Sequence, residues 1–164
     1  MKILASGPSG PATELDPLRE AGHEVVIGRP LDQPGRAAYS ESDLGAAARD
    51  AHVILASHLD AITRGVMDAA PRLRLVIVPF IGTDKINIPA ASRLGVLVAN
   101  SPTPENFIAV AEATIAVTLM LQKRIKHNEA KLRRGEWAQR GDRGEFLFGK
   151  TVGLVGLGRV GSHE

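Results

Sequence analysis

Five short aliphatic runs recur through the first hundred residues and limit the fold more than any other feature: Lys2 to Ser6, Glu24 to Gly28, His52 to Ala56, Leu73 to Val78 and Val96 to Ala99. Each is too short for a stable helix and too continuously apolar to leave one face in water. Parallel strands covered on both faces have this pattern. Between the runs lie amphipathic stretches near Glu14 to Ala21, Ser42 to Arg49, Thr63 to Ala70 and Ile88 to Leu94, which read as helices. Gly22 and Gly95 stand where a helix closes on a left-handed residue, a conformation that a Cβ disfavours. Asn87 precedes Ile88-Pro89-Ala90; its side chain can accept a free backbone N–H, while Pro89 in the first turn has no N–H in need of a partner. Strands alternating with helices predict an α/β domain over residues 1–101, built as a doubly wound, open parallel sheet.

From Glu105 the pattern changes. Phe107, Ile108, Val110, Ala111, Ile115, Val117, Leu119, Met120 and Leu121 occupy nearly every face of one predicted helix that runs to about Lys126. A helix apolar all round needs cover on all sides. Glu112 interrupts the run, and the chain has no stretch of 18 or more uncharged apolar residues, so the expectation is a helix between domains or subunits and no membrane span. Lys123, Arg124, Lys126, Lys131, Arg133 and Arg134, set against Glu129, read as a solvated face near a helix end whose dipole favours cations. Lys plus Arg number 20 against 18 Asp plus Glu, a balance that implies no nucleic-acid partner. Gln139 to Gly149, rich in glycine and charge, reads as a loop, and residues 102–149 as a connecting, dimer-forming region. The absence of cysteine excludes disulfide scaffolds, thiolate metal sites and cysteine nucleophiles. The five histidines have no paired spacing suited to a metal. The start MKILASG lacks the basic head and long apolar body of a secretory signal, so the expected location is the cytoplasm.

Thr151 to Val155 is a further aliphatic run, read as a strand, and it leads directly into Gly156-x-Gly158-x-x-Gly161. Such a triplet is weak alone and much stronger after a buried strand. Gly156 would permit the tight turn, Gly158 the close approach of a pyrophosphate, and Gly161 the packing of a following helix. That helix would offer its free N–H groups and positive dipole end to the phosphates. The plain alternative is a glycine-rich turn with no ligand. An acidic ribose-binding residue is expected about 20 residues later, beyond Glu164, so NAD and NADP are both admitted. His58 follows the third strand at the carboxyl edge, where open α/β sheets bind ligands, together with Ser6, Ser57 and the loop Phe80 to Gly82. It reads either as a cleft residue that assists anion binding or as an exposed loop histidine. Ser6-Gly7-Pro8-Ser9-Gly10 lacks the Lys-Ser/Thr ending of a P-loop and reads as a turn lining the cleft. No serine has the base and acid partners of a nucleophile.

The order of these parts, with Asn106-x-x-x-Val110-Ala111-Glu112, Arg134-Gly135-Glu136-Trp137 and Gly149-Lys150-Thr151 among them, resembles the D-isomer-specific 2-hydroxyacid dehydrogenases over the whole chain. Gly82-Thr83-Asp84-Lys85-Ile86-Asn87 resembles the family's carboxylate-binding loop, and Asn100-Ser101-Pro102 its segment entering the second domain. The resemblance implies a flavodoxin-like substrate domain followed by the start of a Rossmann domain over residues 150–164. It implies an oxidoreductase that transfers a hydride between NAD or NADP and a 2-hydroxy or 2-oxo acid. In that scheme the amides of Ile81 and Gly82 hold the substrate carboxylate, Ile81 also lies near the nicotinamide, and Gly156, Gly158, Arg159, Val160 and Gly161 meet the cofactor. Two departures stand out. Phe80 occupies a position often glycine in the family, which should narrow the loop or alter the substrate range, and Ser101 to Asn106 is one residue longer than the common connection. The family's substrate-binding arginine and its histidine with a partnering glutamate lie beyond the cofactor strand. No catalytic residue is therefore expected in this chain, which reads as an N-terminal part of such an enzyme, inactive alone. His163, two residues past the last fingerprint glycine, is not that histidine. The resemblance further implies a homodimer built on the long helix and the arm through Trp137. A non-catalytic dinucleotide- or anion-binding regulatory protein on the same scaffold is the alternative.

Overall fold

The structure is a computed structural model that describes residues 1–8 and 10–163, so Ser9 of the first glycine-containing turn lies outside the described residues. The five aliphatic runs form β1 (Lys2–Ala5), β2 (Glu24–Ile27), β3 (Val53–Leu55), β4 (Leu75–Val78) and β5 (Leu97–Asn100). They pair in parallel in the order β2-β1-β3-β4-β5. Leu4 stands level with Val26 and Ile54, and Val76 with Ile54 and Val98, so one layer of aliphatic side chains runs across the sheet. The chain leaves β1 toward β2 and returns past it to β3, which makes the gap between the ends of β1 and β3 the switch point of the sheet.

Helices α1 (Asp16–Glu20), α2 (Glu41–Ala48), α3 (Arg64–Asp68) and α4 (Ile88–Leu94) connect the strands. Ser40 and Thr63 cap α2 and α3 by accepting from the amides of Asp43 and Val66, and Asn87 caps α4 by accepting from Ala90 at 3.0 Å. Gly22 and Gly95 adopt φ of 81° and 70°, where a side chain would be strained. The helix predicted from Glu14 to Ala21 is split: a 3-10 turn at Ala12–Leu15 precedes α1. Pro17 has no N–H to give the carbonyl of Thr13, so one continuous α-helix cannot pass through it. Leu4, Leu44, Ile54, Ile62, Val66 and Val76 are each no more than 2% exposed and form the centre of the core. Gly45 lets α2 lie close to the end of α3, since a Cβ there would come within 3.0 Å of the Ala69 Cβ.

These elements make up one unit, Met1–Pro102, and a second begins at Thr103. The single helix predicted to about Lys126 is instead two, α5 (Pro104–Gln122) and α6 (Ile125–Arg133), because Arg124 takes a left-handed φ of 51°. The loop that follows explains the break. The amide of Glu145 donates to the carbonyl of Gln122 at 2.8 Å, and the Arg124 guanidinium donates to the carbonyl of Gly141 at 2.6 Å. Gly144 sits so close to Lys123 that an added Cβ would strike its backbone. The loop thus takes the Gln122 carbonyl, which a continuing helix would have used. It is fastened again by Asp142, which accepts from Lys131 and the amide of Gln139 and hydrogen-bonds His127.

Along α5 only Ala111 is buried among the described residues, while Val110, Val117 and Leu121 are 52%, 53% and 72% exposed. By length and composition alone α5 could cross a bilayer, a test that an uncovered interface helix passes equally. The strand predicted at Thr151 to Val155 does not form. Among the described residues it finds no ladder partner, and an unpaired segment has nothing to hold it as a strand.

Candidate functional site

The carboxyl ends of β1, β3 and β4 place Ser6, the Ser57-to-Asp60 turn and the Pro79-to-Gly82 loop along one edge of the first unit. At its centre is a buried carboxylate. Asp60, with no exposed surface, accepts from the hydroxyls of Ser6 at 2.9 Å and Ser57 at 2.7 Å, from the Arg36 guanidinium at 2.7 Å and from the amide of Tyr39 at 3.0 Å. Burial alone would raise its pKa. The Arg36 bond, the Tyr39 amide and the two hydroxyls outweigh it, so the net direction is downward and the carboxyl is held ionised. Arg36, its side chain 2% exposed, also donates to the carbonyls of Arg29, Ala37 and Ser6. The cluster staples the long loop after β2 onto the switch point.

Sequence reasoning places Ser6 and Ser57 in the cleft but misses Arg36 and Asp60. Asp60, two residues past His58 in the turn after β3, was a usable signal. Arg36, within the irregular stretch Pro30 to Tyr39, offered none. Ser6 and Ser57 themselves are buried, and they spend their hydroxyls on Asp60.

His58 is exposed and stands edge-on to Phe80, with ring centres 6.1 Å apart and planes at 78°. The loop beyond Phe80 is held from β5 and its end. Asn100 donates to the carbonyl of Ile81 at 2.8 Å, and the amide of Ser101 donates to that of Phe80 at 3.1 Å. With those carbonyls pinned, Ile81 and Gly82 are exposed, and among the described residues neither amide donates to a protein acceptor. Two successive free N–H groups beside a sheet edge suit a carboxylate. The structure thus brings His58, Phe80, Ile81 and Gly82 to one edge. Larger clefts, of about 390 and 480 Å³, lie in the second unit along α5 and are walled by apolar side chains such as Ile115, Leu119, Met120 and Leu121.

In the second unit, Gly156 adopts a φ of 102°, and a Cβ on Gly161 would run into the carbonyl of Gly156. Gly158 has open space where its Cβ would stand. The amides of Arg159 and Val160 have no protein acceptor among the described residues. The turn is closed behind them by Ser162 N–H to Gly158 and His163 N–H to Val160. The His163 ring donates to the carbonyl of Arg159 at 2.8 Å and packs 5.2 Å from the Phe107 ring, a purely local role. Free amides, a bare Gly158 and a turn tightened at Gly161 fit a dinucleotide pyrophosphate. Among the described residues no cluster of metal-ligating side chains occurs.

Comparison with known proteins finds the D-isomer specific 2-hydroxyacid dehydrogenase catalytic domain over residues 3–136 and the NAD binding domain of the same family over residues 115–163. D-3-phosphoglycerate dehydrogenase of Mycobacterium tuberculosis H37Rv is 38% identical over 140 residues, 85% of this chain and 25% of that protein. The TT0316 protein of Thermus thermophilus superposes with a TM-score of 0.83 at 30% identity, covering 99% of this chain and 51% of its own. The NAD-dependent formate dehydrogenase of Staphylococcus aureus, solved with NAD, gives a TM-score of 0.75 at 28% identity and the same coverage of 99% and 51%. The chain thus spans about a quarter of that phosphoglycerate dehydrogenase and about half of each solved chain.

Proposed function

The chain belongs to the D-isomer-specific 2-hydroxyacid dehydrogenases, and from that membership we propose that the protein carrying it interconverts a 2-hydroxy acid and its 2-oxo acid with NAD or NADP. The free amides of Ile81 and Gly82 receive the acid's carboxylate, and His58 adds a donor at the same edge. The amides of Arg159 and Val160, on the turn from Gly156 to Gly161, receive the cofactor pyrophosphate. When bound, the cofactor supplies a nicotinamide carbon that takes up or gives back a hydride. Ile81, exposed beside the carboxylate site, is the residue we place against that ring. We assign no proton-transfer residue to this chain, because among the described residues no histidine at that edge is paired with a carboxylate. His127 does meet Asp142, but there it fastens a loop.

We read the uncovered face of α5, with Trp137, as the surface of a homodimer, since so much exposed apolar area exceeds what monomers usually leave in water. We read the cytoplasm as the location, in keeping with a chain free of cysteine and with relatives named as metabolic dehydrogenases.

The observation that carries the proposal is the pair of unused amides at Ile81 and Gly82. Titrating the chain with pyruvate while following backbone amide NMR signals should shift these two most. In the protein that carries the chain, NADH should be oxidised in the presence of a 2-oxo acid. A panel of such acids that leaves NADH intact would overturn the activity, and acid binding without turnover would favour the regulatory alternative.

A further inference from the structure

Two cavities meet at Ser57, His58 and Phe80. One, about 250 Å³, holds Gly82 and continues past Asp84 and Lys85. The other, about 240 Å³, lies toward the loop after β1 and is walled by Pro8, Leu31, Leu55, Pro79 and Phe80. Among the described residues of this second wall the ionisable groups are His58 and Glu14, with neither Lys nor Arg. The Glu14 carboxylate leans over Gly10, where an added Cβ would strike it. The guanidinium of Arg36 is not available to the cavity, because Asp60 and three backbone carbonyls hold it buried.

We infer that the second cavity receives the acid's substituent from its third carbon onward and selects 2-oxo acids with an uncharged, branched aliphatic or aromatic group over phosphorylated ones. This rests on the reading above that Ile81 and Gly82 take the carboxylate. With the carboxylate fixed on the Gly82 side, the edge-on pair of Phe80 and His58 forms the neck, and the rest of the acid turns toward Leu31 and Pro79. A phosphate entering there gives up its water, meets the Glu14 carboxylate and gains no cation in the wall. An aliphatic group meets apolar walls, where each buried CH₂ strengthens binding about fourfold. The matched relatives named phosphoglycerate dehydrogenases therefore do not set the substrate of this chain.

The test is amide NMR titration of the chain with three probes: pyruvate, 4-methyl-2-oxopentanoate and 3-phosphohydroxypyruvate. All three offer the same carboxylate and keto group. The branched acid should bind about tenfold or more tighter than pyruvate and, unlike pyruvate, also shift the amides of Gly7 and Leu31. The phosphorylated acid should bind more weakly than pyruvate. Glu14→Lys, a change at an exposed side chain, should improve the phosphorylated acid about tenfold and leave the branched one within about threefold. Tighter binding of 3-phosphohydroxypyruvate than of the branched acid overturns the inference. If pyruvate moves Ile81 and Gly82 but the added methyl groups gain nothing, the side-chain cavity alone is wrong. If pyruvate leaves those amides unmoved, the carboxylate site fails and the inference falls with it.

Discussion

Asp60 gathers four donors from three separated stretches of the chain, so its removal leaves Arg36 charged and buried without its counterion. Breaking such a pair costs about 3–5 kcal/mol, so Asp60→Ala should lower the urea midpoint sharply or leave the first unit unfolded. The pH dependence follows from the direction of the shift. The folded pKa lies below the unfolded value of about 3.9, so the stability Asp60 contributes is complete above that pH and is lost as pH falls through the lowered folded value. The melting temperature of the chain should fall steeply below about pH 4, and Asp60→Asn should flatten that part of the curve. Single positions were unevenly legible in the sequence. Asn87, Gly22 and Gly95 announce themselves because capping is local chemistry. The Arg36 to Asp60 pairing joins residues 24 apart, on either side of α2 and β3 in the chain, and only the folded backbone brings them together.

Strands and helices of the first unit follow the sequence pattern closely, because burial on both faces writes itself into continuous aliphatic runs. The same logic misleads in the second unit. Thr151 to Val155 has the composition of a strand, yet a ladder needs a neighbour, and none pairs with it among the described residues. The end of α5 was hidden for the opposite reason: propensity favours continuing through Lys123 and Arg124, and a tertiary contact from the loop at Gly144 prevails. Gly144→Ala should therefore be costly, by about 1–3 kcal/mol, since the added methyl meets backbone that cannot move aside. Urea unfolding followed by circular dichroism would measure it, and Gly141→Ala, where a Cβ has open space, is the matched control.

For the molecule as a whole, the exposed apolar side chains of α5 predict self-association. Light scattering at micromolar concentration should report twice the chain mass, and Leu119→Asp with Met120→Asp should yield monomers or aggregate, while Lys126→Ala should change little; a stable wild-type monomer would refute this. Fold class and the two candidate binding edges could be read before any coordinates, since both rest on local periodicity and glycine spacing. Which acid fits could not, because cavity walls are assembled from residues far apart in the chain. The sheet has one further consequence, for synthesis. Every ladder in it is closed by Asn100, ahead of α5 in the chain. Domains fold as units, N-terminal first, as the ribosome releases them. The strands, whose open edges are the groups most prone to mispairing, are thus able to find their partners before the exposed apolar side chains of α5 leave the tunnel. A circular permutant that begins at Thr103 would reverse that order, and its yield of soluble protein in cell-free translation should drop, with added chaperone restoring it.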